Sequence, residues 1–412
     1  MGKKFHSVIS GSYVKLSGRY PGIRVGRGHD VIEGFAMKFT VDQSALSDGV
    51  NWVSRSLSTR PIKTELLGIK IDATGDEVIL SASDLETSSK AHFSADIFEK
   101  GEVLVPGKLL AEISRSLPNK PITITLDGSR VLVTSGSAKF TLPTLSLSEY
   151  PNLPELPERT GVVASDTFAT AVAQVAIAAG RDDSLPTLTG VHIEIEEDKV
   201  TLAATDRYRL AVREFNWNPA TPGLATSALL RARTLADAAK SLTGAKEVSL
   251  SFAPATSVDR LAGFAGSGKM MTSRMLDGTF PPYRHLLPTE SSTTAVVEVA
   301  PFLDSVRRVA LVADKTIPLR LEFADGGVSL EAGAGEEAQA TETIDVLLNG
   351  EPISIAFNPT FLADGLQAVG TPFVQISFTG SNKPAILTGR NEPNGPSVDT
   401  YKYLLMPMRY AS

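Results

Sequence analysis

The chain has 412 residues, 42% of them hydrophobic and 21% charged, enough for several domains with cores of their own. It contains no cysteine, which excludes disulfides, thiol catalysis and thiolate-held metal, and no apolar run is long enough to span a bilayer. A net charge of −6 excludes a protein that is basic all over, though not a basic channel inside an acidic exterior.

Residues 1–36 stand apart, with six Lys or Arg against two acidic residues, scattered glycine and no amphipathic period. They read as an extension that is either unstructured or carried over from cloning, since the apolar stretch of a secretory signal is missing. The remainder holds 34 basic and 44 acidic residues and is the more acidic part.

From there one pattern occurs three times. Apolar residues fall at i, i+4, i+7 and i+11 as Leu46/Val50/Val53/Leu57, Phe168/Val172/Val175/Ala179 and Phe302/Val306/Val309/Ala313. Each set predicts one buried stripe of an amphipathic helix. Asp42 to Ser44, Ser165 and Asp166, and Pro301 supply the start signals. Strand–turn–strand runs follow in "LLGIKIDATGDEVILSASD", "LTGVHIEIEEDKVTLAATD" and "LRLEFADGGVSLEAG". The first two end on Asp84 and Asp206, each sixteen residues past a glycine, Gly68 and Gly190; the third has lost the Asp.

A second, shorter helical stripe recurs as Leu110/Ile113/Leu117, Leu235/Ala239/Leu242 and Leu362/Leu366/Val369. Further strands close each unit. Pro-marked linkers, "EYPNLPELPERTG" and "FPPYRHLLPTESS", separate the units. The expected fold is α+β, in three repeated domains of roughly 125 residues at 37–157, 158–288 and 289–412.

A cation follows the first helix of every unit: Arg60, Arg181 and Lys315, with Arg55, Arg307 and Arg308 on the same element. The second helices add Lys108, Arg115 and Lys120, then Arg231, Arg233 and Lys240; the third has none. Any one of these could simply offset a helix dipole. Their recurrence in an acidic chain predicts a shared basic surface, suited to holding duplex DNA by its phosphates without reading bases.

One tempting motif fails. "GFAGSGKM" at 263–270 nearly matches a phosphate loop, yet Met270 stands where the metal-binding hydroxyl belongs, and a hairpin turn is the expected structure. A nucleotide-using enzyme built on it is the alternative reading. An exported three-module adhesin is another, and it leaves the repeated cations unexplained. The five histidines, at 6, 29, 92, 192 and 285, lack ligand spacing, so no metal and no cofactor is expected.

The run "TLTGVHIEIEEDKVTLAATDRYRLAVRE" and the ending "YLLMPMR" closely resemble the bacterial DNA polymerase III beta subunit family, the sliding clamps. "QVAIAAGRDDSLPTLTG" resembles its actinobacterial branch. The resemblance spans about Lys38 to Arg409. It implies a non-catalytic, cytoplasmic processivity factor for DNA replication: a head-to-tail homodimeric ring with helices lining a central hole and sheets outside. Duplex DNA would be held without sequence preference, and Arg60, before Pro61, would approach it. Polymerase, clamp loader and repair proteins would dock through short linear motifs.

The resemblance further implies a peptide groove between the second and third units. It is formed by Leu188, by Thr205, Arg207, Tyr208, Arg209 and Leu210 of "TDRYRL", by Pro281, His285 and Leu286, by Asn358, and by Leu404, Met406, Pro407, Met408 and Arg409. Two methionines suit a surface that accepts several partners. Arg207 and Tyr208 depart from smaller or different residues of other clamps, and the peptide preference should shift with them. In the ring joint, Phe140 of one subunit would meet Leu311 and Val312 of the other. Strand alternation would send Leu404, Met406 and Met408 to one side of a final strand and Leu405 to the other.

Overall fold

The computed structural model describes residues 37–254, 256–288, 290–313, 318–333 and 338–409. The expectations placed on residues 1–36 and on Lys315 lie outside these.

Six α-helices occur among the described residues, two per unit: α1 (Gln43–Val53), α2 (Gly107–Ser116), α3 (Ser165–Ala176), α4 (Ala232–Ser241), α5 (Val299–Val309) and α6 (Pro359–Val369). Every first-helix stripe is buried except at its last position in the third unit, where Ala313 is half-buried. Every second-helix stripe is buried as well. Within each unit the two helices pack side by side, and the first also lies against strands. None of these helices is long and apolar enough to cross a membrane.

The expected strand pairs form as antiparallel hairpins: Gly68–Asp72 with Val78–Ser83, Gly190–Glu196 with Lys199–Thr205, and Leu319–Ala324 with Gly326–Ala332. "GFAGSGKM" is a hairpin, in which Leu261–Gly266 pairs with Lys269–Arg274 and Ser267 and Gly268 both take positive φ (49° and 73°). A strand, and not a helix, directly follows its turn.

Two sheets run across the unit boundaries. Lys269–Arg274 of the second unit pairs with Thr87–Phe93 of the first, making nine described strands continuous. Ser397–Leu405, the last strand of the third unit, pairs with Arg209–Asn216 of the second and joins twelve. Helices stitch the same seams. Trp52 on α1 donates its Nε1–H to the carbonyls of Lys90 (2.9 Å) and Met270 (3.2 Å), one on each side of the first seam. Arg55, just past α1, donates to the Asp237 carbonyl (3.0 Å) and to Ser241 of α4. At the second seam Gln174 of α3 donates to the Ala368 carbonyl of α6 (2.8 Å). The first helix of one unit thus meets the second helix of the next, twice in one chain.

The ending departs from simple alternation. Leu404 and Leu405 do point to opposite sides, Leu404 into a small outer cluster and Leu405 into the main core. The strand ends at Leu405, so Met406 and Met408 follow no strand period. Met406 N–H instead bonds the Tyr208 carbonyl (2.9 Å) and Met408 N–H the Ala356 carbonyl (2.8 Å).

Candidate functional site

The repeated aspartates build turns. Asp84 Oδ1 accepts from the N–H groups of Glu86 (3.1 Å) and Thr87 (2.7 Å). Asp206 Oδ1 accepts from those of Tyr208 and Arg209, both at 3.1 Å. One step earlier, Ser83 and Thr205 donate their hydroxyls to the Thr87 and Arg209 carbonyls (3.0 and 2.7 Å). In both turns the residue after the Asp is left-handed, Leu85 at φ 78° and Arg207 at φ 80°. Non-glycine residues seldom adopt this backbone, and here the carboxylate and hydroxyl hold it. This Asx turn lifts Arg207 and Tyr208 into solvent at the end of the strand that carries Arg209.

Arg209 is the centre of the second seam. Its side chain is 5% exposed, with Nε 2.9 Å from Asp206 Oδ2 and Nη1 2.6 Å from Asp364 Oδ2 on α6. Nη1 also reaches the Tyr403 hydroxyl (3.4 Å), and the guanidinium carbon lies 4.2 Å from the Phe361 ring centroid. Burial alone would lower its pKa, but the hydrogen bonds and charges of its partners outweigh that and fix it as a cation. Tyr403 is buried against Gly365 of α6, where a Cβ would come within 2.5 Å of the ring, and donates to the Phe361 carbonyl (2.8 Å). Arg209 therefore binds the third unit to the second; its charge is spent inside the protein.

Around this cation lies a cavity of about 340 Å³. Leu185 and Leu188, the 206–209 turn, and Thr360, Phe361 and Asp364 at the start of α6 line it. Tyr208 is 57% exposed and stacks on Phe361 with centroids 6.4 Å apart. Asn358 is the N-cap of α6, its Oδ1 accepting from the N–H groups of Thr360 (2.9 Å) and Phe361 (3.2 Å), so it positions lining residues without lining the cavity itself. Sequence reasoning missed Leu185, Phe361 and Asp364. The Asn358-Pro359 cap signal locates the helix start, but nothing local says that it faces a turn some 155 residues earlier.

The other expected groove residues lie on the outer face of the same seam. Leu210 and Leu404 are buried, 1% and 3% exposed, in a small cluster with Phe280 and Tyr283 of the linker. Above it Pro281, His285 and Leu286 are exposed. Met406 is exposed, Pro407 and Met408 are half-buried, and Arg409 is exposed. Thr205 closes the turn between the two regions. Leu210 and Leu404 belong to the buried cluster and do not line the 340 Å³ cavity.

The linker is fixed by Glu194. Tyr283 donates to Glu194 Oε2 (3.0 Å), as does Arg284 (2.6 Å), while His192 Nε2 is 3.3 Å from Oε1 and its ring stacks on Phe280 at 5.1 Å. Burial works against the Glu194 charge, yet the bonds from Tyr283 and Arg284 prevail and hold its pKa below the ordinary value. Burial lowers that of His192 despite the nearby carboxylate, favouring the neutral ring.

Of the expected cations, Arg60 and Arg181 are exposed, with no ion pair among the described residues. Arg181, Arg231 and Arg233 line one trough between α3 and α4 of about 700 Å³, with Arg231 held by Asp183 (3.2 Å). Arg115 bonds Asn51 (2.8 Å), Arg307 bonds Gln367 (3.2 Å), and Arg308 is paired with Glu342. Arg55 is engaged across the first seam. These four are partly committed within the chain.

Phe140 is 37% exposed on the strand Ala138–Pro143, and Leu311 is 85% exposed. Val312 is half-buried against the core.

Comparison with known proteins places this geometry. Family models of the DNA polymerase III beta subunit match three times: the N-terminal domain at residues 37–154, the central domain at 162–282 and the C-terminal domain at 284–409. A beta sliding clamp from Streptomyces coelicolor is 51% identical over 90% of this chain and 99% of its own length. One from Micrococcus luteus is 46% identical over 76% of this chain and all of its own. A sliding clamp from Pseudomonas aeruginosa, solved bound to griselimycin, superposes with a TM-score of 0.82 at 25% identity, covering 91% of this chain and all of that one.

Three clamp domains in one chain define a binding scaffold of the DNA-clamp class. The chain belongs to the DNA polymerase III beta subunit family, the beta sliding clamps of actinobacterial type, and is a DNA polymerase processivity factor and not an enzyme. The alternative of a nucleotide-using enzyme finds no support.

Proposed function

We propose that two copies close head to tail into a ring around duplex DNA, in the cytoplasm, and that the seam between the second and third units captures short linear peptides from polymerase, clamp loader and repair proteins. The carrying observation is a pair of open strand edges. The closing strand of the second unit pairs with the first unit, and that of the third unit with the second. The closing strand of the first unit, Ala138–Pro143, has a described neighbouring strand on one side only. Across 340–346 the strand Ala340–Asn349 is likewise paired on one side only, with Gly326–Ala332. These are the edges that the repeat elsewhere uses for joining. Pairing them between copies repeats the internal seam at both joints.

In such a ring Phe140, Leu311 and Val312 fall at the joint, and Arg60, Arg181, Arg307, Arg308 and Lys315 fall on the helical side, facing the phosphates. Leu109 of α2, 41% exposed, joins them by the same repeat logic, because α5 would meet a second copy's α2 as α1 meets α4. Domain boundaries at 157/158 and 288/289 make the two linkers straps on the outer face. The 340 Å³ cavity lined by exposed Tyr208, whose carbonyl the exposed Met406 holds, supports peptide capture through apolar anchors.

The test is retention on DNA. Loaded protein is expected to stay on closed circular duplex and to run off linear duplex with free ends. Equal retention on both would show adhesion without encirclement.

A further inference from the structure

The two seams use one backbone plan with different surfaces. Reading from Gly68 and Gly190 in the same register, Ser81, Ser88 and Lys90 of the first unit stand where the second has Ala203, Leu210 and Val212. Across each seam, Thr272 is paired with Ser88 where Leu404 is paired with Leu210. The second seam is therefore apolar on its outer face, and its own linker fills it with Phe280 and Tyr283. The first seam is polar, and its linker does not fill it. Tyr150 pins that linker at one end, its hydroxyl 3.4 Å from the Ser81 carbonyl. Leu156 pins it at the other, over Gly263, where a Cβ would sit 2.4 Å from the leucine. Between the pins the strap bridges a groove of about 670 Å³ on the outer face.

This groove holds polar groups with nothing to bind. The Thr272 hydroxyl and His92 Nε2 are buried and have no hydrogen-bond partner among the described residues, though Thr272 is only 5% exposed. His92 has Glu77 at 3.9 Å from its other nitrogen. Lys70 is already neutralised by Glu102 (2.6 Å), with Asp72 beside it (3.8 Å). Half-buried Lys90 has no ion pair among the described residues. Ile79, Met270 and Leu153 supply apolar walls. Lys90, the Thr272 hydroxyl and His92 Nε2 thus present a cation and two polar atoms that no group of the described chain satisfies.

We propose that the first seam is a second docking groove, for an extended peptide of a partner protein that carries a carboxylate next to an apolar side chain. The carboxylate would accept from Lys90 Nζ and the Thr272 hydroxyl, and the apolar neighbour would rest on Ile79, Met270 and Leu153. A chain segment is the occupant because the twin seam already holds one, its own linker, with the opposite polarity: there Arg284, at the start of a short 3-10 turn of that linker, meets Glu194 of the sheet. This site is independent of the groove at the second seam.

The probe is a fluorescent pool of nine-residue peptides with one central Asp or Glu flanked by Leu or Met and random elsewhere, titrated into the full chain and read by anisotropy. A matched pool carries Asn or Gln at the centre. The acidic pool is expected to bind more tightly than the amide pool. Lys90→Glu is expected to weaken it roughly tenfold or more, and Thr272→Val by a smaller factor, with unchanged melting temperature. Removing residues 406–412 should leave this binding intact. Equal binding of the two pools, undiminished binding by Lys90→Glu, or loss of binding on removing 406–412 would each overturn the proposal.

Discussion

Arg209 of the second unit and Asp364 of the third meet at 2.6 Å across a boundary that the chain crosses only through its linker and its last strand. The pair is asymmetric: Arg209 is 5% exposed and Asp364 36%. Truncating the buried member leaves Asp206 and Asp364 facing each other without their cation, so Arg209→Ala is expected to cost about 3 kcal/mol or more. Asp364→Asn keeps a hydrogen-bond acceptor and leaves Arg209 its Asp206 partner, and should cost about 1 kcal/mol. Denaturant unfolding of the two variants checks the order. Equal costs would mean that the guanidinium does not bind the units together.

The ending carries two jobs that can be separated. Leu404 and Leu405 are buried and belong to the cores, whereas Met406 onward lies beyond the strand. Removing residues 406–412 should leave the fold and the dimer intact, with a change in Tm of no more than a few degrees. Affinity for a polymerase-derived linear peptide should fall roughly tenfold or more, since the Met406 N–H holds the carbonyl of Tyr208, which lines the cavity. Calorimetry with one such peptide on both proteins checks it. Undiminished affinity would place the peptide elsewhere.

Local chemistry made much of this architecture legible before any coordinates. Stripes such as Phe168/Val172/Val175 are read from helical spacing because burial is set by one face of one element. The hairpin at Ser267-Gly268 is legible because turns need left-handed residues at fixed places. The aspartates at 84 and 206 were visible as a repeat, but their role was not: a carboxylate that caps a turn and one that waits for a substrate look alike in a string. Arg209 shows the harder limit. Its partners Asp364, Phe361 and Tyr403 come from another unit, and only the folded seam reveals that an arginine in an exposed-looking "TDRYRL" is buried. Likewise the polarity swap between the seams emerges only when strands from different units are put in register.

The linker over the second seam should loosen in mild acid. Glu194 has a folded pKa below its ordinary value, so the stability it contributes is present above that ordinary value and is lost as pH falls through the lowered one. His192 is also lowered, so the unfolded or released state binds the extra proton first, and stability declines as pH drops below about 6.5. Both act in one direction. Hydrogen-exchange protection of the 280–287 amides is expected to fall between pH 7 and pH 5 in the wild type. In His192→Gln the decline over that interval should be shallower. In Glu194→Gln protection should already be low at pH 7, with peptide affinity reduced, because Pro281, His285 and Leu286 ride on this segment. Protection that does not change between pH 7 and pH 5 would show that His192 does not secure the linker, and undiminished protection in Glu194→Gln would show that Glu194 does not.

Leu311 offers the sharpest separation of ring from protomer. It follows α5 at the position that Arg55 holds after α1, and Arg55 crosses a seam to reach α4. The side chain of Leu311 is 85% exposed in the single chain, so replacing it should cost the protomer almost nothing. If it is buried against a second copy's α2, Leu311→Glu removes an apolar contact and forces a carboxylate towards Glu112 on that helix. Together these should weaken the dimer by at least about 2 kcal/mol, roughly thirtyfold in dissociation constant. Phe140→Asp, on the opposite open edge, should act in the same direction. Sedimentation at micromolar concentration is expected to show the wild type as a dimer and Leu311→Glu shifted towards monomer, with the melting of the monomeric form unchanged. A variant that stays fully dimeric would mean that the open edges of Ala138–Pro143 and Ala340–Asn349 are not where two copies join.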